Sequence, residues 1–338
     1  MLTLSGQNGG GQILRSSLTL SMITGQPFRL TKIRGGRSKP GLARQHLTCV
    51  KAAAEISNGS VDGAELGSNE IIFYPGKVTG GNYHFAIGTA GSTTLLAQTV
   101  LPALWQAGNA SSLTLEGGTH NTMAPPLDFI TRTFFPVLEK MGVQIETELR
   151  RYGFVPAGGG EVFFRLFGGQ KLQPIELLER GELLEQRIHC ICAHLQGPVA
   201  GKETSALLRE LDWPENTVFI DHTTDADCQG NTLSAELVFE HISERVTSFG
   251  ERGKTSRRVA QETAKMMQNY LGSEAVVGRH LSDQLLLPMA LAGGGKMLTS
   301  APSNHVKTNT EVIEKFLPVK FEIEAQQRGC HFISVKSR

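Results

Sequence analysis

The sequence predicts an α/β protein built from three repeated α/β units packed with pseudo-threefold symmetry, plus a smaller inserted α/β domain. Three observations carry this expectation. A helix–strand–helix–strand-pair pattern recurs three times, glycine clusters punctuate it, and one stretch differs in composition from both its flanks. The chain has 338 residues, 38 of them glycine, and a formal charge of +1. Only 6 glycines fall within 182–275, where 15 acidic residues face 9 basic ones. Outside that stretch the balance reverses, with 24 basic and 17 acidic residues. One regime on both sides of another predicts a body of 1–181 and 276–338 and an insert of 182–275.

The elements follow in order. The first unit opens with the glycines at 9–11, then a helix at 12–24, a strand at 28–33 and a second helix at 42–57. Its strand pair is expected near 63–66 and 70–74. The second unit opens at Gly88-Thr89-Ala90-Gly91 and continues with a helix at 92–107, a strand at 112–116, a helix at 127–141 and strands at 143–150 and 161–166. The third is a helix at 283–292, a strand at 296–300, a helix at 310–316 and strands at 319–324 and 330–335. Recurring units of this kind bury faces that each alone would expose. The insert reads as strands at 187–195, 217–221, 231–240 and 245–249, with helices at 202–211 and 256–271.

Composition excludes several classes. Glycine is neither periodic nor joined by abundant proline, so collagen and low-complexity disorder are out. No apolar run approaches the ~18 residues of a membrane span; the longest is 285–292. The start, MLTLSGQNGGG, lacks the basic and apolar segments of a secretory signal. Five scattered cysteines fit a reduced, cytoplasmic protein.

Charge is most lopsided at the N-terminal end. No Asp or Glu precedes Glu55, whereas Arg15, Arg29, Lys32, Arg34, Arg37, Lys39, Arg44 and Lys51 all fall there. The run from Arg34 to Gly41 is too rich in glycine and proline to be a helix face. Arginines on such a loop suit bidentate phosphate contacts better than a merely solvated surface.

Other motifs have weaker claims. Gly250 to Thr255 lies between a strand and a helix, as a phosphate-cradling loop does, but Ser248 stands where that pattern needs glycine. The triple glycine ends in Gln12-Ile13-Leu14 and fails the dinucleotide fingerprint. Cys190, Cys192 and His194 alternate, so they share a strand face and could ligate a metal. Small apolar cysteines on a buried strand explain them more simply. His305 follows the strand at 296–300 on a polar loop, where ligands of α/β sheets gather.

Several stretches together point further. Gly9-Gly-Gly-Gln-Ile-Leu-Arg15, Arg34-Gly-Gly-Arg37 through Pro40-Gly41 to Arg44-Gln45-His46, and Phe85-Ala-Ile-Gly-Thr-Ala-Gly-Ser92 occur in that order. Ala124-Pro125-Pro126 with Asp128-Phe129, Pro156-Ala-Gly-Gly-Gly160, Asp283-Gln284 with Leu287-Pro288-Met289-Ala290, and Pro302 with His305 follow. The chain thereby resembles the RNA 3′-terminal phosphate cyclases of bacterial type, nearly end to end.

The resemblance implies three α/β repeats with a small domain inserted before the third. It implies that His305 attacks the α-phosphate of ATP, a covalent route through an imidazole nucleophile. The adenylyl group then passes to an RNA 3′-phosphate, and the neighbouring 2′-hydroxyl displaces AMP to leave a 2′,3′-cyclic phosphate. Arg15, Arg34, Arg37 and Gln45 match positions that handle phosphates. Asp283 and Gln284 match positions near the nucleotide, while Gln98, Pro125 and Phe129 match the adenine pocket. His280 stands where bacterial members often stack a tyrosine on adenine. A divalent cation, Mg or Mn, is implied too, but Asn8 occupies the position of its usual acidic ligand and Ser5 lies near the usual upstream aspartate. The implied partner is RNA with a 3′-phosphate end, with no membrane and no obligate protein partner.

Two other classes compete. A non-catalytic RNA-binding relative acting in ribosome assembly would lack the nucleophile, so His305 argues against it. An enolpyruvyl transferase also repeats α/β units and would suit a basic first unit, but it has neither the insert nor the His305 motif.

Overall fold

The computed structural model describes residues 1–8, 10–195 and 197–338; Gly9 of the triple glycine lies outside the described residues. The fold is mixed α/β, with four four-stranded sheets among the described residues. The first sheet contains β1 (Leu2–Ser5), β2 (Phe28–Thr31), β3 (Ser60–Asp62) and β4 (Ile71–Tyr74), in the order β1-β2-β4-β3. Helices α1 (Gln12–Thr24) and α2 (Arg44–Ile56) connect its strands. The expected strand near 63–66 forms three residues earlier. Gly63, at φ +77°, turns the chain there, so the ladder with β4 ends at Asp62.

The second sheet has the order β5-β6-β8-β7, from β5 (Asn82–Ala86), β6 (Ser111–Gly117), β7 (Ile145–Arg151) and β8 (Gly160–Leu166). Helix α3 (Thr93–Gln106) joins β5 to β6. The single helix expected at 127–141 is a composite: α4 (Leu127–Phe129), a π-turn (Ile130–Phe134) and α5 (Phe135–Lys140). Proline is the cause. Pro136 has no N–H to return to Arg132. The register widens ahead of it, and the Phe135 N–H reaches the Ile130 carbonyl instead.

Next come β9 (Glu176–Leu177) and a sheet ordered β11-β10-β12-β13. Its strands are β10 (Leu183–Ala193), β11 (Val218–Thr223), β12 (Gly230–Phe239) and β13 (Ser243–Phe249), with α6 (Val199–Leu211) and α7 (Ser256–Leu271) packed on them. Cys190 and Cys192 are buried on one face of β10, as small apolar groups are. The strand ends at Ala193, and His194, at φ 51°, does not continue its alternation.

The last elements are α8 (Arg279–Leu291), β14 (Gly294–Ser300), α9 (Asn304–Phe316), β15 (Val319–Ala325) and β16 (Cys330–Ser337). Strands β14 to β16 form a sheet with β9, ordered β15-β16-β14-β9. All four sheets pair alike, a parallel edge pair and then two antiparallel pairings, but the first, second and last also share one strand order, first-second-fourth-third in chain order, which β11-β10-β12-β13 does not follow. In those three, short strands β1, β5 and β9 supply the parallel edge, and none of them stands out in the sequence.

One apolar core runs through α1, α2, α3, α8 and α9 and the inner faces of those three sheets. A second core lies between β10, β12 and β13 and helices α6 and α7. No described helix is long and apolar enough to cross a membrane.

Candidate active site

Helices α1, α3, α8 and α9 and the π-turn converge on a cavity of about 730 Å³. Arg15, Arg34, Arg37, Gln45, Gln98, Pro125, Phe129, His280, Asp283, Gln284 and His305 all line it. Asn8 does not; it is exposed and lies outside that wall.

His305 is not on a loop. Ser303 caps α9, its Oγ accepting the His305 N–H at 3.0 Å, so the imidazole projects from the first helical turn. The same hydroxyl lies 2.9 and 2.8 Å from the two carboxylate oxygens of Asp283 on α8. Burial raises the Asp283 pKa, opposed by this hydrogen bond and by His305 and Arg279 nearby. From α1, Ser16 donates to Asn309 Oδ1 at 2.6 Å, which pins α9 against the helix carrying Arg15.

The arginines line the same cavity. Arg34 and Arg37 lie on a tight turn in which the Gly35 N–H bonds Lys32 O and the Arg37 N–H bonds Arg34 O. Arg34 Nη1 also donates to Gly41 O at 3.0 Å. Among the described residues, Arg15, Arg34 and Arg37 form no ion pair with a carboxylate. Burial lowers the pKa of Arg15 and of Arg34. A guanidinium held out of water without a counterion, as at Arg15, leaves a demand for an anion, and the fork geometry of all three suits phosphate.

His46 stands among them. Burial, then the charges of Arg15, Arg34 and Arg37, hold its pKa down at about 3, so the ring is neutral. Its Nδ1 is buried without a hydrogen-bond partner among the described residues. A Cβ at Gly11 would come within 2.2 Å of His46 Nε2, so the third glycine makes room for this ring.

The other wall is more apolar. Pro125 and Phe129 flank it, and Thr94 fixes the Pro125 carbonyl at 2.7 Å. Gln98 Nε2 donates to Gln284 Oε1, tying α3 to α8. Gln45 spends its Oε1 on the Ser92 N–H at 2.8 Å, at the start of α3; its NH₂ remains for other partners. His280 lies on the first turn of α8, where partial desolvation, Arg279 and His305 lower its pKa.

Sequence reasoning did not assign His46 a place in the site, nor the wall that β13 and α7 supply through Arg245, Val246, Thr247, Phe249 and Met266. Arg245 is 2% exposed and donates to Asp128 Oδ2 at 3.0 Å, His189 Nδ1 at 3.1 Å and Glu236. Asp128 lies well below the usual carboxylate range: its burial, which would raise it, is outweighed by His120, Arg245 and His189. The sequence signal near this junction is the Ala124-Pro125-Pro126 run with Asp128-Phe129.

No group of three His, Cys, Asp or Glu side chains among the described residues is placed to hold a metal ion. Asn8 offers a carbonyl oxygen without charge. The described residues therefore make no preformed divalent-cation site.

Comparison with known proteins gives one consistent result. A family model described as RNA 3′-terminal phosphate cyclase matches residues 6–323. A protein of that name from Koribacter versatilis is 46% identical over 340 residues, spanning 100% of this chain and 96% of its own. Another, from Ralstonia nicotianae, is 49% identical over 320 residues, spanning 94% of this chain and 92% of its own. Among solved structures, the enolpyruvyl transferase NikO from Streptomyces tendae aligns with 50% of this chain at 13% identity and a TM-score of 0.29, too slight a likeness to bear on fold or function.

Proposed function

Because this chain belongs to the RNA 3′-terminal phosphate cyclase family, we propose that the cavity carries out that family's ATP-dependent cyclisation of an RNA 3′-phosphate end. One observation supports the residue assignment above others: His305 opens into the same cavity as three arginines that lack carboxylate partners among the described residues.

The steps use the chain's own groups. The His305 imidazole attacks the α-phosphorus of ATP; an N–P bond forms, the bridging P–O bond breaks and pyrophosphate leaves. An oxygen of the RNA 3′-phosphate then attacks that phosphorus, the N–P bond breaks and the imidazole is restored. Finally the 2′-hydroxyl attacks the activated 3′-phosphorus, loses its proton and expels AMP. Negative charge gathers at each phosphorus, and Arg15, Arg34 and Arg37 are arranged to offset it without reorganising. Asp283, oriented by Ser303, sits where it would accept from ribose hydroxyls. Pro125, Phe129 and His280 would enclose the adenine. No step is routed through a metal, since the residues present do not form its site; a divalent ion would be bound mainly by substrate phosphates.

The same reading divides the chain into a body of three repeats, 1–181 with 276–338, and an insert of 182–275. The strand order shared by three sheets and not by the fourth, together with the separate second core, supports it. The reading also places the protein in the cytoplasm.

The test uses ATP labelled at the α-phosphate, with Mg or Mn and no RNA. An acid-labile, alkali-stable protein adduct should form and be absent in His305→Ala. Arg37→Ala should impair use of 3′-phosphate RNA more than self-adenylylation. Wild-type protein that forms no adduct with either metal refutes the proposal.

A further inference from the structure

Two helices that wall the cavity carry a proline in their interior: Pro102 in α3 and Pro288 in α8. Proline has no N–H, so it leaves the carbonyl four residues earlier without its helical donor. Those carbonyls belong to Gln98 and Gln284. They are the two residues whose side-chain amides meet across the cavity. On α3, Gln98, Leu101, Pro102 and Trp105 face the cavity; on α8, Gln284, Leu287 and Pro288 do. Such spacing marks one helix face, so each missing helical hydrogen bond lies on the side turned to the cavity. No side chain among the described residues donates to either carbonyl.

We propose that these two main-chain carbonyls make the site select a 6-amino purine nucleotide over a 6-oxo one. The inference rests on the placement of the base between Pro125, Phe129 and His280 given above. The glutamine pair cannot discriminate alone. With Gln98 Nε2 bonded to Gln284 Oε1, it presents an acceptor and a donor, but turning both amides over presents the reverse. It can therefore match adenine, which offers a donor at position 6, or guanine, which offers an acceptor there. A main-chain carbonyl only accepts, and it cannot turn over. Opposite the 6-amino group it gains a partner; opposite O6, two acceptors meet and both lose their water. The prolines are thus positioning residues that keep the carbonyls free.

Pro102→Ala, Pro288→Ala and the double variant test this. Alanine restores the N–H with the best helix former, and the carbonyl returns to the helix. Initial rates of protein labelling are measured with ATP, GTP and purine riboside triphosphate, which lacks the 6-amino group. Wild type should favour ATP over both analogues by about tenfold or more. In the double variant, with an unchanged melting temperature, that preference should fall by about tenfold, through slower reaction of ATP alone. A purely structural role for the prolines would slow all three nucleotides together and would overturn the inference. So would equal rates for ATP and purine riboside triphosphate in wild type, a comparison that decides the matter if the variants do not fold. If wild type forms no adduct at all, the cyclase assignment fails. Calorimetry of AMP against purine riboside monophosphate then still decides: equal affinity refutes selection by the carbonyls, and tighter AMP binding supports it.

Discussion

Lowering the pH from about 7 to about 4.5 should cost this fold about 2–3 kcal/mol through His46 alone. In the unfolded chain the ring protonates near its ordinary 6.5; in the cavity it stays neutral down to about 3. Below 6.5 the unfolded state thus binds a proton that the native state refuses. Stability falls as pH drops through that window and levels off below about 3. The native ring resists because burial removes water and three guanidinium groups already crowd it. Urea unfolding followed by circular dichroism, at the two pH values, on wild type and His46→Gln, isolates this contribution. Other titrating groups are common to both proteins and cancel. His46→Gln should lose less stability on acidification, by the amount above. Pyrophosphate, placing negative charge among the arginines, should narrow the gap. Equal acid losses in the two proteins would refute the account of the arginine cluster.

Three further outcomes follow from the site. Arg245→Met removes the shared partner of Asp128 and Glu236 and should destabilise by about 3–5 kcal/mol in chemical denaturation; a loss below about 1 kcal/mol would mean the carboxylates find other partners. Ser303→Ala should cost about 1 kcal/mol as a lost cap and raise the KM for ATP by releasing Asp283; an unchanged KM would separate the cap from the site. Asn8→Glu should lower the Mg concentration needed for half-maximal self-adenylylation; an unchanged requirement would exclude position 8 from metal binding.

Local signals carried the longer elements. α1 and α7 lie where the sequence puts them, because glycine before α1 and Thr255 before α7 mark their starts. α9 is longer than its sequence suggests: Ser303, its cap, sits in a polar run that reads as a loop and hides that His305 stands on a helix. The pairing of Gln98 with Gln284 joins residues 186 positions apart, and Arg245 meets Asp128 across 117. No periodicity or composition window spans such distances. The acidic character of 182–275 even pointed away from the cavity, although β13 supplies part of its wall. Net charge describes the outer surface of that unit, while its one fully buried arginine is spent inward.

The two-residue strand β9 has a consequence for how the chain is made. Glu176 and Leu177 pair with Lys296 and Met297, on the far side of the whole β10–α7 unit. Emerging from a ribosome, the first, second and β10–β13 sheets each have all their strands before β14 is synthesised. The remaining sheet must wait and close over that long intervening segment, an entropic cost that grows only slowly with its length. Domains completed earlier shorten the effective loop by folding as units. Because α8 and α9 flank β14, Asp283, Gln284 and His305 reach the cavity last. A nascent chain therefore holds Arg15, Arg34 and Arg37 before it holds His305, and the wall of the cavity is complete only after α9 has been made.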